Sequence, residues 1–598
     1  MSTSDLPSST SNADAAPSKA STSRRKFLGH MGGATAGAIA LSSIGLEPLL
    51  GTQRSQAQAV EITPTTDSAR RIASDAIRKA ASNNEKALGL FPHPTNGDEE
   101  LYANRIGNFH KTLPHDTTTG EVDQAAYNQL LAALASGNFA DFEAIPRKLG
   151  ANGRLANPLG GLAFELDGPD NFAIPIGPIP PPIASAGAAA EMVELYWEAY
   201  LRDVPLADYN TNNAIVMQAC AELSNLTDFQ GAKDPVTNQV TPDTLFRYPY
   251  PGCTVGPMAS QFLYRNLTVD GIGPFEPKPT SQLPVIIWNP DGTVNSFGPG
   301  MDWLTGFNEW LAVQDGFGNP TTNVNTADGP LFIHNVRDIG QLAQSDNINS
   351  VYIRAGNLAG GLGGVANGPY RTSVRQTGFA TVGGGGYLNS LLGNVHKGER
   401  HSWFTKWQLH RHPRPEAYSG LVDRTLRGVA NYPLHSQLLN SQIVQLIGAY
   451  NLRLNGLKGI NETAFFFPQM ARGGSPSHPS ASAGHAQTAG ACVTVLKYWF
   501  ADAPLPAGVA KQPSRDGLTL ENYIGPTLTV HGELNKLCMN LSEGRNMSGV
   551  HYRVSDNYSG NQQGEEMAIR LLREAKATYP EPAFAITFNK FNGTPVTV

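Results

Sequence analysis

A mainly α protein is the fold class this sequence predicts: helical bundles, two of them four-helix-bundle-like cores, with long Pro/Gly-rich loops and minor β-hairpins. Three observations predict it. Apolar residues recur at helical spacing in many separate windows, most strongly in the C-terminal half. The 62 glycines and 43 prolines fall largely between those windows, where they end and redirect the chain. Period-two alternation is confined to short runs bounded by turn residues.

Taken in order, the first helix runs from Thr66 to Leu88, with Ile72, Ala73, Ala76, Ile77 and Ala80 on one face and Asp67 near its start. Helical patterns follow at Val122–Ala135, Ala188–Leu201 and Asn212–Leu223. The run IPIGPIPPPI at Ile174–Ile183 lacks the N–H donors a ladder needs and reads as an extended arm. Val285–Trp288, Asn289-Pro290-Asp291-Gly292 and Thr293-Val294 read as a hairpin. Helix returns at Trp303–Val313 and His334–Ala355, followed by a Gly-rich loop over residues 356–387. No GKS or GKT follows that loop, which argues against a nucleotide site. The C-terminal helices cover Ser402–His412, Leu434–Leu454, His485–Ala501, Leu528–Leu541 and Gln562–Ala577. Leu439, Ile443, Leu446 and Tyr450 form a core stripe, and residues 585–598 with Asn592-Gly593 form a last hairpin.

Composition narrows the function. The chain has 598 residues, 40% of them hydrophobic and 16% charged, and a net charge of −6. Such a chain is globular, and nucleic acid and anionic membranes are poor partners for it. Residues 1–59 read as a twin-arginine signal peptide: Ser23-Arg24-Arg25-Lys26-Phe27-Leu28, then an apolar region from Met31 to Leu50, then Ala57-Gln58-Ala59. That segment carries five basic and three acidic residues, so its removal would take the net charge from −6 to −8. Export to a periplasmic or extracellular location is the expectation, and no later run is long enough to span a bilayer. The remainder divides into an N-terminal helical region with long loops, 60–330, and a C-terminal bundle, 331–598, that carries the site. An oxidising compartment permits disulfides among Cys220, Cys253, Cys492 and Cys538, though Cys492 in its apolar run reads as buried and free. No CxxC or HExxH occurs, which excludes the common zinc motifs.

Three islands carry chemistry. In Lys406-Trp-Gln-Leu-His-Arg-His-Pro-Arg414-Pro415, a point charge and a planar fork of donors form a combination that grips an oxyanion. On a continuous helix the two would sit about 80° apart, but Pro413 and Pro415 end the helix and let Arg414 turn back. In Ser475–Ala486, SPSHPSASAGHA, small residues form an anion nest at a helix N-terminus, with His478 and His485 beside it. In Gly544–Asp556, Arg545 stands six residues before His551. Two arginines, a lysine and a helix N-terminus suit a trianion, and the histidines suit covalent or acid–base work. His410 and His412 could be read as a metal pair, but they fit better as neighbours of the anion pocket.

Lys-x7-Arg-Pro, His-Pro-Ser-x3-Gly-His and Arg-x5-His, in this order over residues 400–560, resemble the vanadium-dependent haloperoxidases. The closest likeness is to the algal-type bromoperoxidases of the phosphatidic acid phosphatase/haloperoxidase superfamily. A looser likeness extends upstream through Gly256–Phe262 and Arg337-Asp338. The resemblance implies a vanadate cofactor and a homo-oligomer, with hydrogen peroxide, halide and an organic compound as reaction partners. It implies His551 as the vanadium ligand; Lys406, Arg414, Arg545 and the Gly484 amide on the vanadate oxygens; His485 as the acid–base group; and Lys406 as the polariser of peroxide. His478, where algal-type members keep a histidine, implies bromide and iodide as substrates.

Two departures stand out. Algal-type members read Pro-Ser-Gly-His, whereas Ala483 precedes Gly484 here and Ser482 takes the proline position. Losing that serine's bond to a charged group costs about 1.5–3 kcal/mol, unless Ser482 supplies a substitute. Asp556 stands five residues after His551, where the superfamily usually places an acid at four. Two rival functions share these residues: a phosphatase forming a phosphohistidine at His551, and a non-catalytic secreted binding protein.

Overall fold

The computed structural model describes residues 66–598, apart from 266, 270–271, 276–285, 290–292, 298–301, 318–330 and 345–348. The expected export signal lies outside the described residues. Thr63–Val598 form one compact unit. The main helices are α1 Asp67–Ala87, α2 Gln124–Ser136, α3 Ala186–Leu201, α4 Ala214–Ser224, α5 Phe307–Gln314, α6 Val336–Leu342 and α7 Asn349–Leu358. They continue with α8 Gly385–Val395, α9 Glu399–Phe404, α10 Pro415–Leu426, α11 Gln442–Leu457, α12 Gly484–Trp499, α13 Val530–Met547 and α14 Ser559–Lys576. The described strands form only two-stranded antiparallel pairs. Among them are the expected hairpins Ile286–Trp288 with Val294–Phe297 and Thr587–Asn589 with Pro595–Thr597. No described helix is long and apolar enough to cross a membrane.

Two large apolar clusters make the core. One joins α3, α4, α10 and α11 through side chains such as Trp197, Val216, Val422 and Ile447. The other gathers α7, α8, α12, α13 and α14 through Tyr352, Leu392, Leu496, Leu537 and Leu572. At its centre every residue of α12 is buried. A helix buried on all sides cannot be amphipathic, and α12 instead carries small residues where its neighbours approach. A Cβ at Gly490 would strike the Asn561 carbonyl, and one at Gly564 would strike that of Gln487, so α12 and α14 meet backbone to backbone. Each fully buried Val or Leu in this layer contributes about 1.5–3 kcal/mol.

The structure corrects several element boundaries. The expected helix at His334–Ala355 is two helices, α6 and α7. The stretch Leu434–Leu454 is also two, Ser436–Leu439 and α11, each with its own side-chain N-cap from His435 and Ser441. The Gly-rich stretch ends in α8, which starts inside the glycine run. Helix α13 runs on to Met547 and carries Arg545 in its last turn. No residue of α1 is buried, and Ile72 on its apolar face is 71% exposed. All four cysteines are buried and free.

Candidate functional site

The site is assembled where the loop before α12 meets the loop between α9 and α10 and the segment after α13. Past α9 the chain continues as a π-helical turn, Thr405–His410, with Arg411 N–H donating to the Lys406 carbonyl at 2.9 Å. Arg411 then adopts φ 43°, and Arg414 becomes the N-cap residue of α10, with Pro415 at its first position. Lys406 and Arg414 are thereby brought together, both fully buried.

Each cation grips the loop that precedes α12. The Lys406 ammonium donates to the carbonyls of Ser480, at 2.7 Å, and of Ser482. Arg414 donates from Nε to the His478 carbonyl at 2.9 Å, from Nη2 to His478 Nδ1 at 2.8 Å, and from Nη1 to the Val550 carbonyl at 2.7 Å. Its Nη1 also lies 3.1 Å from His551 Nε2. Arg545 donates to the Ala343 carbonyl at 3.1 Å and stands near enough to Lys406, Arg414 and His551 to disfavour a positive charge on each.

His551 is held by a carboxylate. Its Nδ1 lies 2.6 Å from Asp556 Oδ2, which also accepts from the Ser480 hydroxyl and, at 3.2 Å, from the Tyr552 N–H. With Nδ1–H committed to the carboxylate, Nε2 is the nitrogen able to act as a ligand. The five-residue separation is spanned by a second π-helical turn, Arg553–Tyr558, closed by the Asn557 N–H on the Tyr552 carbonyl at 3.1 Å. That wider turn returns Asp556 to His551, so the extra residue is accommodated. Asp556 also fixes the loop, its carbonyl accepting the Ala483 N–H at 3.1 Å.

Electrostatics define what this pocket accepts. Burial, then the nearby Arg414, pushes Lys406 well below the usual lysine range. Burial also draws Arg414 down to about 9. His551 is held well below the ordinary histidine range by burial and by Arg414, Lys406 and Arg545, so it is neutral. Asp556, raised by burial to about 6 against the pull of Lys406 and Ser480, stays largely ionised at neutral pH. Lys406, Arg414 and Arg545 thus converge beside the ordered carboxylate of Asp556, with Glu399 acting on Lys406 and Glu416 on Arg414 from further round the pocket. The clustered cations suit an anion with several oxygens.

The remaining predicted residues fall as follows. Gly484 opens α12, where backbone amides have no intrahelical acceptor, and Trp403 would lie 3.3 Å from a Cβ placed there. His485 follows on the same first turn, buried. His478 lies with its ring 4.8 Å from that of Trp403, whose indole also lies 5.8 Å below the Lys406 ammonium. Ser482 does not supply the expected substitute hydroxyl. It donates to Gln563 at 2.7 Å and lies 3.1 Å from the Thr405 hydroxyl, contacts that anchor the loop to the helices behind it. The hydroxyl on the His551 side belongs to Ser480, which the sequence reading passed over although it lies within His-Pro-Ser.

The supporting contacts left no motif to read. Glu416 accepts from Lys111 at 2.7 Å and from the Ser475 N–H at 2.6 Å, and Lys111 also donates to the Gly473 and Ser475 carbonyls. His410 and His412 are buried, both drawn down to about 3, chiefly by burial. The His412 carbonyl accepts the Ser480 N–H at 2.9 Å.

No family model matches the chain. The sequence is 33% identical over 556 residues to a vanadium-dependent bromoperoxidase of Ascophyllum nodosum, spanning 89% of this chain and 92% of that protein. It is 29% identical over 590 residues to a vanadium-dependent bromoperoxidase of Corallina pilulifera, spanning 87% and 97%. The fold matches the homohexameric structure of the second vanadate-dependent bromoperoxidase of Ascophyllum nodosum with a TM-score of 0.80 at 29% identity, spanning 93% and 96%.

Proposed function

The chain belongs to the vanadium-dependent bromoperoxidases, and from that premise we propose that its buried cradle holds vanadate and oxidises bromide with hydrogen peroxide to hypobromous acid, which brominates organic compounds. The observation that carries this reading is the convergence of Lys406, Arg414 and Arg545 on a neutral, carboxylate-oriented His551. The donor set fits vanadate: nitrogen from one imidazole, and cations for the charged oxygens. When bound, vanadate supplies Lewis-acid activation of peroxide without a change in the metal's oxidation state.

The roles of the protein groups follow from their chemistry. His551 ligates through Nε2, because Asp556 occupies Nδ1–H. Arg414, Lys406 and Arg545 neutralise oxygen charge, and the Gly484 amide adds the dipole of α12. His485, on the first turn of that helix, moves protons to and from the reacting oxygens. His478, pinned by Arg414 and flanked by Trp403, forms the wall that meets the halide, with iodide as a second substrate. The Ser480 hydroxyl fixes the Asp556–His551 pair.

A homo-oligomer is the proposed assembly, supported by the homohexameric structural relative. Export by the twin-arginine route is proposed from Arg24-Arg25 and the apolar segment after it. Calorimetric titration of the vanadate-free protein with orthovanadate tests the site. One equivalent should bind per chain, and both His551→Ala and Arg414→Ala should abolish binding. Unchanged binding in either variant would move the cofactor elsewhere.

A further inference from the structure

Helix α3 carries three glutamates on successive turns, Glu191, Glu194 and Glu198, all buried. Glu191 is satisfied by the Val554 and Ser555 N–H groups at 2.7 and 2.9 Å. Glu194 and Glu198 face Glu543 of α13, and an oxygen from each of the three lies within 4.8 Å of the others. Among the described residues the cation in contact is Arg553, which donates to Glu194 at 2.8 and 2.6 Å and stands 2.5 Å from Glu543. Three carboxyls against one guanidinium would leave two negative charges if all were ionised, and burial with the neighbouring Glu543 and Glu194 holds Glu198 well above the usual carboxylate range.

A second observation is independent of the acid count. Neither oxygen of Glu198 accepts a hydrogen bond from an N–H or hydroxyl among the described residues, although the residue is 0% exposed, and its polar neighbour is another acid, the carboxyl of Glu543. The hydroxyl of Tyr248, whose ring lies 5.0 Å from the Arg553 guanidinium, is likewise buried without a partner. A buried carboxylate with no donor costs several kcal/mol unless something supplies positive charge.

We propose that Glu194, Glu198 and Glu543 hold one hard divalent cation of the calcium class. The donor set is oxygen only, which selects Ca²⁺, Mg²⁺ or Mn²⁺ over softer metals. The spacing fits, since two oxygens on opposite sides of an ion bound at about 2.4 Å stand about 4.8 Å apart. One divalent ion also neutralises the two excess charges. Its place in the fold gives it a structural role: it fastens α3 to α13, two residues before Arg545, through carboxylates of which Glu194 and Glu543 also pair with Arg553, two residues after His551. A single proton shared between Glu198 and Glu543 is the competing way to fill the space.

The test uses the full-length protein, dialysed against EDTA and then titrated with CaCl2, MgCl2 or MnCl2, with metal content read by mass spectrometry and Tm by calorimetry. One tightly held equivalent per chain is expected, with a Tm that rises with ion concentration as mass action requires. Glu198→Gln should lose that equivalent and flatten the rise. If wild type holds no more metal than Glu198→Gln, and no ion raises its Tm, the shared proton fills the site and the proposal fails. Should Glu198→Gln not fold, Glu543→Gln takes its place, and the wild-type titration alone still overturns the proposal when flat.

Discussion

At the scale of single residues, the account turns on how His551 is oriented and on what stands before Gly484. Asp556→Asn keeps the shape of the side chain but removes the charge that orders the imidazole. It should weaken vanadate binding about 10- to 100-fold without altering the melting temperature of the vanadate-free protein by more than a few degrees. Titration calorimetry checks the first and a thermal scan the second; intact affinity would mean that Asp556 merely packs. Ala483 sits at the N-cap of α12, which has no side-chain cap. Ala483→Ser should therefore tighten vanadate binding by about 1.5–3 kcal/mol. A gain in Tm with no gain in affinity would show the new hydroxyl spent on capping the helix instead. The cations and histidines of the cradle were legible because charge and imidazole chemistry are written in residue type. The roles of Ser480 and Ser482 were not, because two serines in one loop are distinguished only by which way each side chain is turned.

At the scale of elements, two π-helical turns shape the site. Thr405–His410 and Arg553–Tyr558 each place one more residue in the turn than an α-helix would, the second where Asp556 stands one residue further from His551 than usual. Periodicity reveals that such a segment is helical but not that it is wound wider, so the place of Asp556 could not be read from spacing. The loop before α12 also depends on an anchor outside every motif. Glu416, in the first turn of α10, is the buried counter-charge of Lys111 and receives the Ser475 N–H. Glu416→Gln would leave the lysine uncompensated and should cost about 3–5 kcal/mol of stability, read as a lower urea midpoint with an unchanged slope. A midpoint equal to wild type would remove Glu416 from the scaffold. The link between Lys111 and Glu416 joins residues 305 positions apart, a distance no local pattern can report.

At the scale of the whole molecule, the class of fold was legible because helical apolar stripes recur through the chain. Element ends within the Gly- and Pro-rich stretches were not, because tertiary contacts decide where those helices stop. The buried histidines set a global property. His401, His410 and His412 are each drawn down to about 3, chiefly by burial, whereas the unfolded chain protonates near 6.5. Between those values the unfolded state binds more protons, so the stability these groups contribute is full above pH 6.5 and lost as pH falls toward 3. Tm should fall steadily below pH 6.5, and each His→Gln replacement should remove about 1.4 kcal/mol per pH unit from the slope. A flat Tm between pH 6.5 and 4.5 would contradict that burial. The central claim is that the buried cationic cradle is a vanadate site for bromide oxidation. Its most direct test is bromination of a phenol dye by the purified, vanadate-free protein with hydrogen peroxide and bromide, before and after orthovanadate is added. The account predicts no bromination before and sustained turnover after, saturating at one vanadate per chain. No bromination at saturating vanadate, together with turnover of p-nitrophenyl phosphate, would contradict it.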